Sequence, residues 1–208
     1  MTYFPERLYD DGGAYAGRYF ELLGQAYSTI DPAAVSSAGK LLIETAAARR
    51  MIFSCGNGGS AAIANHLVCD CMKGVRANTS LKPKVNSLSA TIELITAIVN
   101  DIGSEQMFSY QLESMAEEGD VLIAISSSGS SPNIIAALKQ ARAMTVRTIA
   151  MTGFSGGDAA KLADVSLHVD AQNYGVVEDT HQSLMHILAQ YMRHANLDAP
   201  ETLGSLKF

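Results

Sequence analysis

Five short apolar runs recur along this chain: RMIFSCG (50–56), KVNSLS (84–89), DVLIAIS (120–126), VRTIAMTG (146–153) and VSLHVD (165–170). Stretches with helical spacing or helix-start signals separate them, at 60–73, 91–101, 105–116 and from Pro132 onward, and a last long helix is expected over about 177–195. Strands that are apolar nearly throughout are buried on both faces, and strand–helix–strand alternation brings successive strands together in parallel. The pattern therefore predicts an α/β three-layer sandwich with a five-stranded parallel sheet. Two further helices precede the first strand. Tyr15, Tyr19, Leu22 and Leu23 share one face of residues 13–29, and Asp31-Pro32 supplies an N-cap and a first-turn proline for the second.

The 208 residues, 48% of them hydrophobic and 17% charged, suffice for one domain over 1–208, with 1–49 as helices laid on its core. No apolar run approaches the roughly 18 residues of a membrane span, and the first residues lack the basic and apolar blocks of a secretory leader. A cytoplasmic address is the expectation, with no membrane partner. The net charge of −6, without a basic cluster, disfavours direct nucleic-acid binding. Cys55, Cys69 and Cys71 are odd in number and lack CxxC spacing, which reads as reduced, mostly buried thiols.

In a parallel sheet, ligands bind beyond the carboxyl ends of the strands. Two loops stand there. CGNGGSAA follows the first strand, with Asn57, Gly58, Gly59 and Ser60, and SSSGSSPN follows the third, with Ser126, Ser127, Ser128 and Ser131. Each combines glycine for close backbone approach, hydroxyl donors and the free amides of a helix start, the requirements of a phosphate monoester. Each could instead be a tight turn with serine caps, but two at one sheet edge favour a shared anionic ligand. GNGGSA also fits the dinucleotide pattern, yet no Asp or Glu lies between Val75 and Ile92 to hold a ribose, so no nucleotide cofactor is expected. GFSGG (153–157), with Asp164 and His181 after it, has the chain order of a serine-hydrolase elbow, but its glycines serve equally as turn residues.

His66 and Asp70 stand four apart on one helical face, and Glu178, Gln182 and His186 form an i, i+4, i+8 row on the last helix. Taken singly, each set is an ordinary helix-surface pairing. If the two faces converge, they make a His/carboxylate cluster fit for proton transfer or for a divalent metal such as zinc. Eight helical residues rise about 12 Å, so Glu178 and His186 reach one ion only by leaning together. His168 and His194 read as structural.

Together CGNGGSAAIANH, VND (99–101), ISSSGSSPNII and VEDTHQSLMHIL resemble the sugar-isomerase (SIS) domain and, more narrowly, the phosphoheptose isomerase family, in order and over nearly the whole chain. The resemblance implies a flavodoxin-like sheet and a homotetramer, or dimer, with sites at subunit interfaces that the N-terminal helices help to form. It implies conversion of a phosphorylated sugar, sedoheptulose 7-phosphate to an aldose heptose 7-phosphate, through an enediol. Phosphate would meet Ser60, Ser126, Ser128 and Ser131, with Asn57 and Asp101 near the sugar. Asp70 and His186 would be catalytic, with base and acid unassigned between them. Zn2+ would be held by His66, Asp70, Glu178 and His186. The chain has Asp70 where the family has Glu, Glu178 where it has Gln, and Ala61 where it has His. Lys73 or Arg76 stands in for a family arginine. The altered residues leave a second expectation open, a non-catalytic phosphosugar-binding protein acting as a sensor or a replication-initiator adaptor.

Overall fold

Four of the five strands end where an apolar run meets a glycine, serine or threonine. The computed structural model describes residues 3–208. Helices α1 (Gly12–Ser28) and α2 (Pro32–Ala47) come first, followed by β1 (Met51–Gly56), α3 (Gly59–Cys69), β2 (Lys84–Ser87), α4 (Ile92–Asp101) and α5 (Ser109–Met115). Then come β3 (Val121–Ser126), α6 (Pro132–Ala143), β4 (Arg147–Thr152), α7 (Gly157–Leu162), β5 (Val165–His168) and α8 (Tyr174–His194). The five strands are parallel, in the order β2-β1-β3-β4-β5. The predicted αβα sandwich is the observed one. The sheet reverses direction of growth between β1 and β3, so the turns after these neighbouring strands part to opposite faces and leave a crevice.

Side-chain alternation divides the core. Val121, Ile123 and Ile125 of β3 pack with α2, α3 and α8 on one face, while Leu122 and Ala124 pack with α5 and α6 on the other. At roughly 25 cal/mol per Å2 of apolar surface, two such layers supply the main stabilisation. The N-terminal helices lie on the first face. Asp11 and Asp31 cap them by accepting from the amides of Gly13, Ala14 and Ala33. The Tyr19 hydroxyl donates to Asp179 at 2.6 Å, and the Tyr27 and Ser183 hydroxyls pair at 2.8 Å, tying α1 to α8.

Two local features were not anticipated. The helix that starts at Gly59 widens into a π-helix over Asp70–Val75, beginning at Asp70 itself. The residues after the GFSGG turn form α7, only six long. Cys55 and Cys71 are buried, which pushes both thiols up to about 12, while Cys69 is exposed. No described helix is long and apolar enough to cross a membrane.

Candidate active site

Glycine geometry builds the first loop. Gly58 has φ +52°, and a Cβ on Gly56 would stand 2.6 Å from the Ser60 carbonyl, so only glycine lets α3 begin this close to the end of β1. Ser60, 4% exposed, lies in the first turn, where helix amides lack internal acceptors.

The second loop is folded on itself. The Gly129 amide donates to the Ser126 hydroxyl at 3.2 Å, and the Ser130 amide to the Ser128 hydroxyl at 3.3 Å. Gly129, at φ +66°, packs its backbone against Gly156 and Gly157, and its carbonyl accepts from the Ala159 amide at 2.9 Å. A reciprocal amide pair ties the two loops: Asn57 donates to Asn133 at 3.0 Å and Asn133 to Asn57 at 2.8 Å.

Asn57, Ser60, Ser126, Ser127, Ser128 and Ser131 thus line one small pocket of about 150 Å3 together with Tyr174 and Glu178. The Ser127 hydroxyl is buried without a partner. Gly58 and Gly59 shape the turn beside this cradle, and Asp101 stands outside it, exposed at the end of α4 and paired with Asn100 at 2.6 Å. Tyr174 and Asn133 carry no sequence signature of their own.

Helices α3 and α8 run side by side away from the cradle. Their facing side chains bring His66, Asp70, Gln182 and His186 together. The His186 Nδ1–H donates to Asp70 Oδ2 at 2.8 Å, and His66 Nε2 stands 3.3 Å from Asp70 Oδ1. The imidazoles meet edge to face, with centroids 5.0 Å apart. Gln182 Nε2 lies 3.1 Å from His66 Nδ1 and 2.9 Å from His186 Nε2. Asp70 and His186 also face a wider pocket of about 530 Å3, which Lys73 lines and Arg76 does not.

Each of His66, Asp70 and His186 offers a ligand atom within 4.8 Å of the others. Two imidazoles and a carboxylate suit a catalytic zinc with an open position. Glu178 stands apart from this group and leans on Gly59 at the cradle, as the rise along α8 leads one to expect.

The elbow does not assemble. Asp164 accepts from the amide and hydroxyl of Thr148, and His181 is wholly buried, with neither ring nitrogen partnered. Burial pushes His181 down to about 4.

The parallel sheet thus carries a serine-lined crevice at its switch point and a His/carboxylate cluster beside it. The SIS domain profile matches residues 14–153, and the chain belongs to that family. Within it, this is a member of the phosphoheptose isomerase group. The phosphoheptose isomerase of Nitratidesulfovibrio vulgaris (strain Miyazaki F) is 40% identical over 152 residues, 72% of each chain. That of Akkermansia muciniphila is 34% identical over 158 residues, 75% of this chain and 82% of the relative. The solved phosphoheptose isomerase GmhA from Neisseria gonorrhoeae superposes with a TM-score of 0.79 at 29% identity, over 86% of this chain and 95% of that one.

Proposed function

We propose that this protein is an aldose–ketose isomerase that converts sedoheptulose 7-phosphate to D-glycero-D-manno-heptose 7-phosphate. The observation that carries the reading is the Asp70–His186 hydrogen bond, which lies on the same two helices that open at the serine cradle. The cradle holds the phosphate, and α3 and α8 act as a ruler to the pair. The rise of about 12 Å from Glu178 to His186 is comparable to an extended seven-carbon sugar phosphate. Phosphate binding thereby positions the distant reacting carbons.

One of Asp70 and His186 takes the proton from the carbon beside the carbonyl, and the C–H electron pair becomes the double bond of the enediol. The former carbonyl oxygen takes a proton. The double-bond pair then takes a proton at the former carbonyl carbon, while the carbon that first gave up its proton loses the one on its own hydroxyl and becomes the new carbonyl. No oxidant or reductant is consumed. Zn2+ held by His66, Asp70 and His186 would polarise the carbonyl and stabilise negative charge on its oxygen. Metal analysis of the purified protein tests its presence.

The protein works, in this reading, as a homotetramer in the cytoplasm. Helix α4 supports the assembly: Ile92, Leu94, Val99 and Ile102 are exposed along it and suit burial against another copy. Asp101, at its end, would then meet the sugar at a neighbouring chain's cradle. Light scattering at micromolar concentration tests the assembly. Incubation with sedoheptulose 7-phosphate, with and without zinc, tests the activity. Absence of aldose product in both arms overturns it, and binding with the ketose unchanged would mark a phosphosugar-binding module instead.

A further inference from the structure

We propose that Tyr174 is a specificity-determining residue at the mouth of the serine cradle, selecting a phosphate ester over free phosphate, and that Phe154 is the positioning residue that holds it there. This rests on the phosphosugar reading above and deepens it. The cradle, about 150 Å3, is small against the roughly 300–1,000 Å3 of ordinary ligand pockets, so it takes the phosphate group and the sugar chain leaves through its mouth. Tyr174 lines the same pocket and is 62% exposed, which places its ring at the rim, where the carbon next to the phosphate must pass. Among the described residues lining the pocket, all others are polar except Ile125, which is fully buried. The Tyr174 ring is therefore the apolar surface offered there to the methylene of an ester.

Phe154 braces that ring from a strained turn. Its φ of +50° lies in the left-handed region, where a bulky side chain is costly and glycine is not. Neighbouring hydrogen bonds impose the conformation. The Gly153 amide donates to the Ser127 carbonyl at 2.8 Å, and the Phe154 amide donates to the Ala171 carbonyl, three residues before Tyr174, at 3.0 Å. A Cβ on Gly153 would stand 2.5 Å from Val177, so the turn is wedged between the serine loop and the first turn of α8. Glycine at 154 would meet these backbone demands without strain. What the phenylalanine adds is its ring. Among the described residues that ring joins neither core layer, and it lies against Tyr174 with centroids 4.7 Å apart and planes at 56°. The GFSGG turn thus carries strain where its side chain fixes the rim of the cradle.

The test is calorimetric titration of the full chain with two probes at about pH 8, where both are chiefly dianions. One is inorganic phosphate; the other is glycerol 3-phosphate, an ester with no carbonyl to isomerise. The wild type is expected to prefer the ester by about tenfold. Tyr174→Ala should bring that preference down to about twofold or less, while Tyr174→Phe keeps it. Phe154→Gly relieves the strain but frees the unfolded chain, so its thermal midpoint should stay within about 3 °C of wild type. Its preference for the ester should nevertheless fall about fivefold, and Phe154→Tyr should retain it. An unaltered preference in Tyr174→Ala or in Phe154→Gly overturns the proposal. So does a Phe154→Gly protein that loses its midpoint and both affinities together, which would mark Phe154 as a support of the whole fold. If the wild type binds the ester but turns over no ketose, the isomerase reading fails and the ratios still decide the proposal. If it binds neither probe, the phosphate cradle and the proposal fall together.

Discussion

Gly59 and Glu178 fit against each other so closely that a Cβ on Gly59 would lie 2.3 Å from Glu178 Oε2. A carboxylate from α8 thereby stands at the start of α3, inside the lining of a pocket built for an anion. The helix start favours that carboxylate, and the same amides and hydroxyls favour a phosphate. The two negative groups compete for one set of donors.

Glu178→Gln should therefore tighten binding of inorganic phosphate. Removing a unit charge a few ångströms away is worth on the order of 1–3 kcal/mol at the edge of a protein, so the affinity should rise about tenfold. Calorimetric titration at fixed ionic strength measures it. Weaker or unchanged affinity would mean that the carboxylate does not oppose the ligand.

Gly129 bears the geometry of the serine loop. Its φ of +66° and the 2.0 Å between a built Cβ and the Gly156 carbonyl oxygen leave a side chain no place. The contact is backbone on backbone, so no rotamer change relieves it. Gly129→Ala should destabilise the protein by about 3 kcal/mol and weaken phosphate binding together. Urea unfolding and titration on the same preparation check both effects. A stable variant with intact binding would show that the loop has another way to close.

The sheet was readable because its strands are nearly all apolar and its turns carry glycine and serine, local signals that tertiary contacts do not override. The serine cradle was readable for the same reason. Two loops at one sheet edge need only the rule for parallel sheets to be brought together. The placement of Glu178 was legible only in part: the rise of about 12 Å along α8 set it apart from His186, but its approach to Gly59 depends on how α3 and α8 pack. Gln182 stood between Glu178 and His186 without a role, since a carboxamide has no signature until both of its partners are known. The π-helix from Asp70, which packs against α8, has no sequence pattern of its own, and α7 is too short for periodicity to reveal.

Asp70→Asn and His186→Asn should each lower kcat by about a thousandfold while the thermal midpoint changes little, because both side chains are only half-buried. The double variant should lose scarcely more than either single one, since the two act as a unit. Asp70→Glu is the sharper test. The aspartate already reaches His186 at 2.8 Å, so an extra methylene displaces the carboxylate by about 1 Å and should cost about a hundredfold. Wild-type kcat in Asp70→Glu would show that the spacing of α3 and α8 is not matched to the shorter side chain.

His181 gives the fold a weak point in acid. Its ring is wholly buried on α8, near His168 and the Thr152 backbone, with neither nitrogen in a well-formed hydrogen bond. Burial holds it at about 4 in the folded protein, against an ordinary value of 6.5. Above pH 6.5 the ring is neutral in both folded and unfolded chains and the difference contributes nothing. As pH falls below 6.5, the unfolded chain takes a proton that the folded one refuses, so stability is lost until about pH 4 and the loss then levels off. Between pH 7 and pH 5 this single ring should account for about 2 kcal/mol of the decline. His181→Leu replaces it with an apolar side chain and removes two unsatisfied nitrogens, so the variant should lack that part of the decline. Urea unfolding of both proteins at the two pH values measures the difference. Equal declines would place the acid sensitivity in other groups.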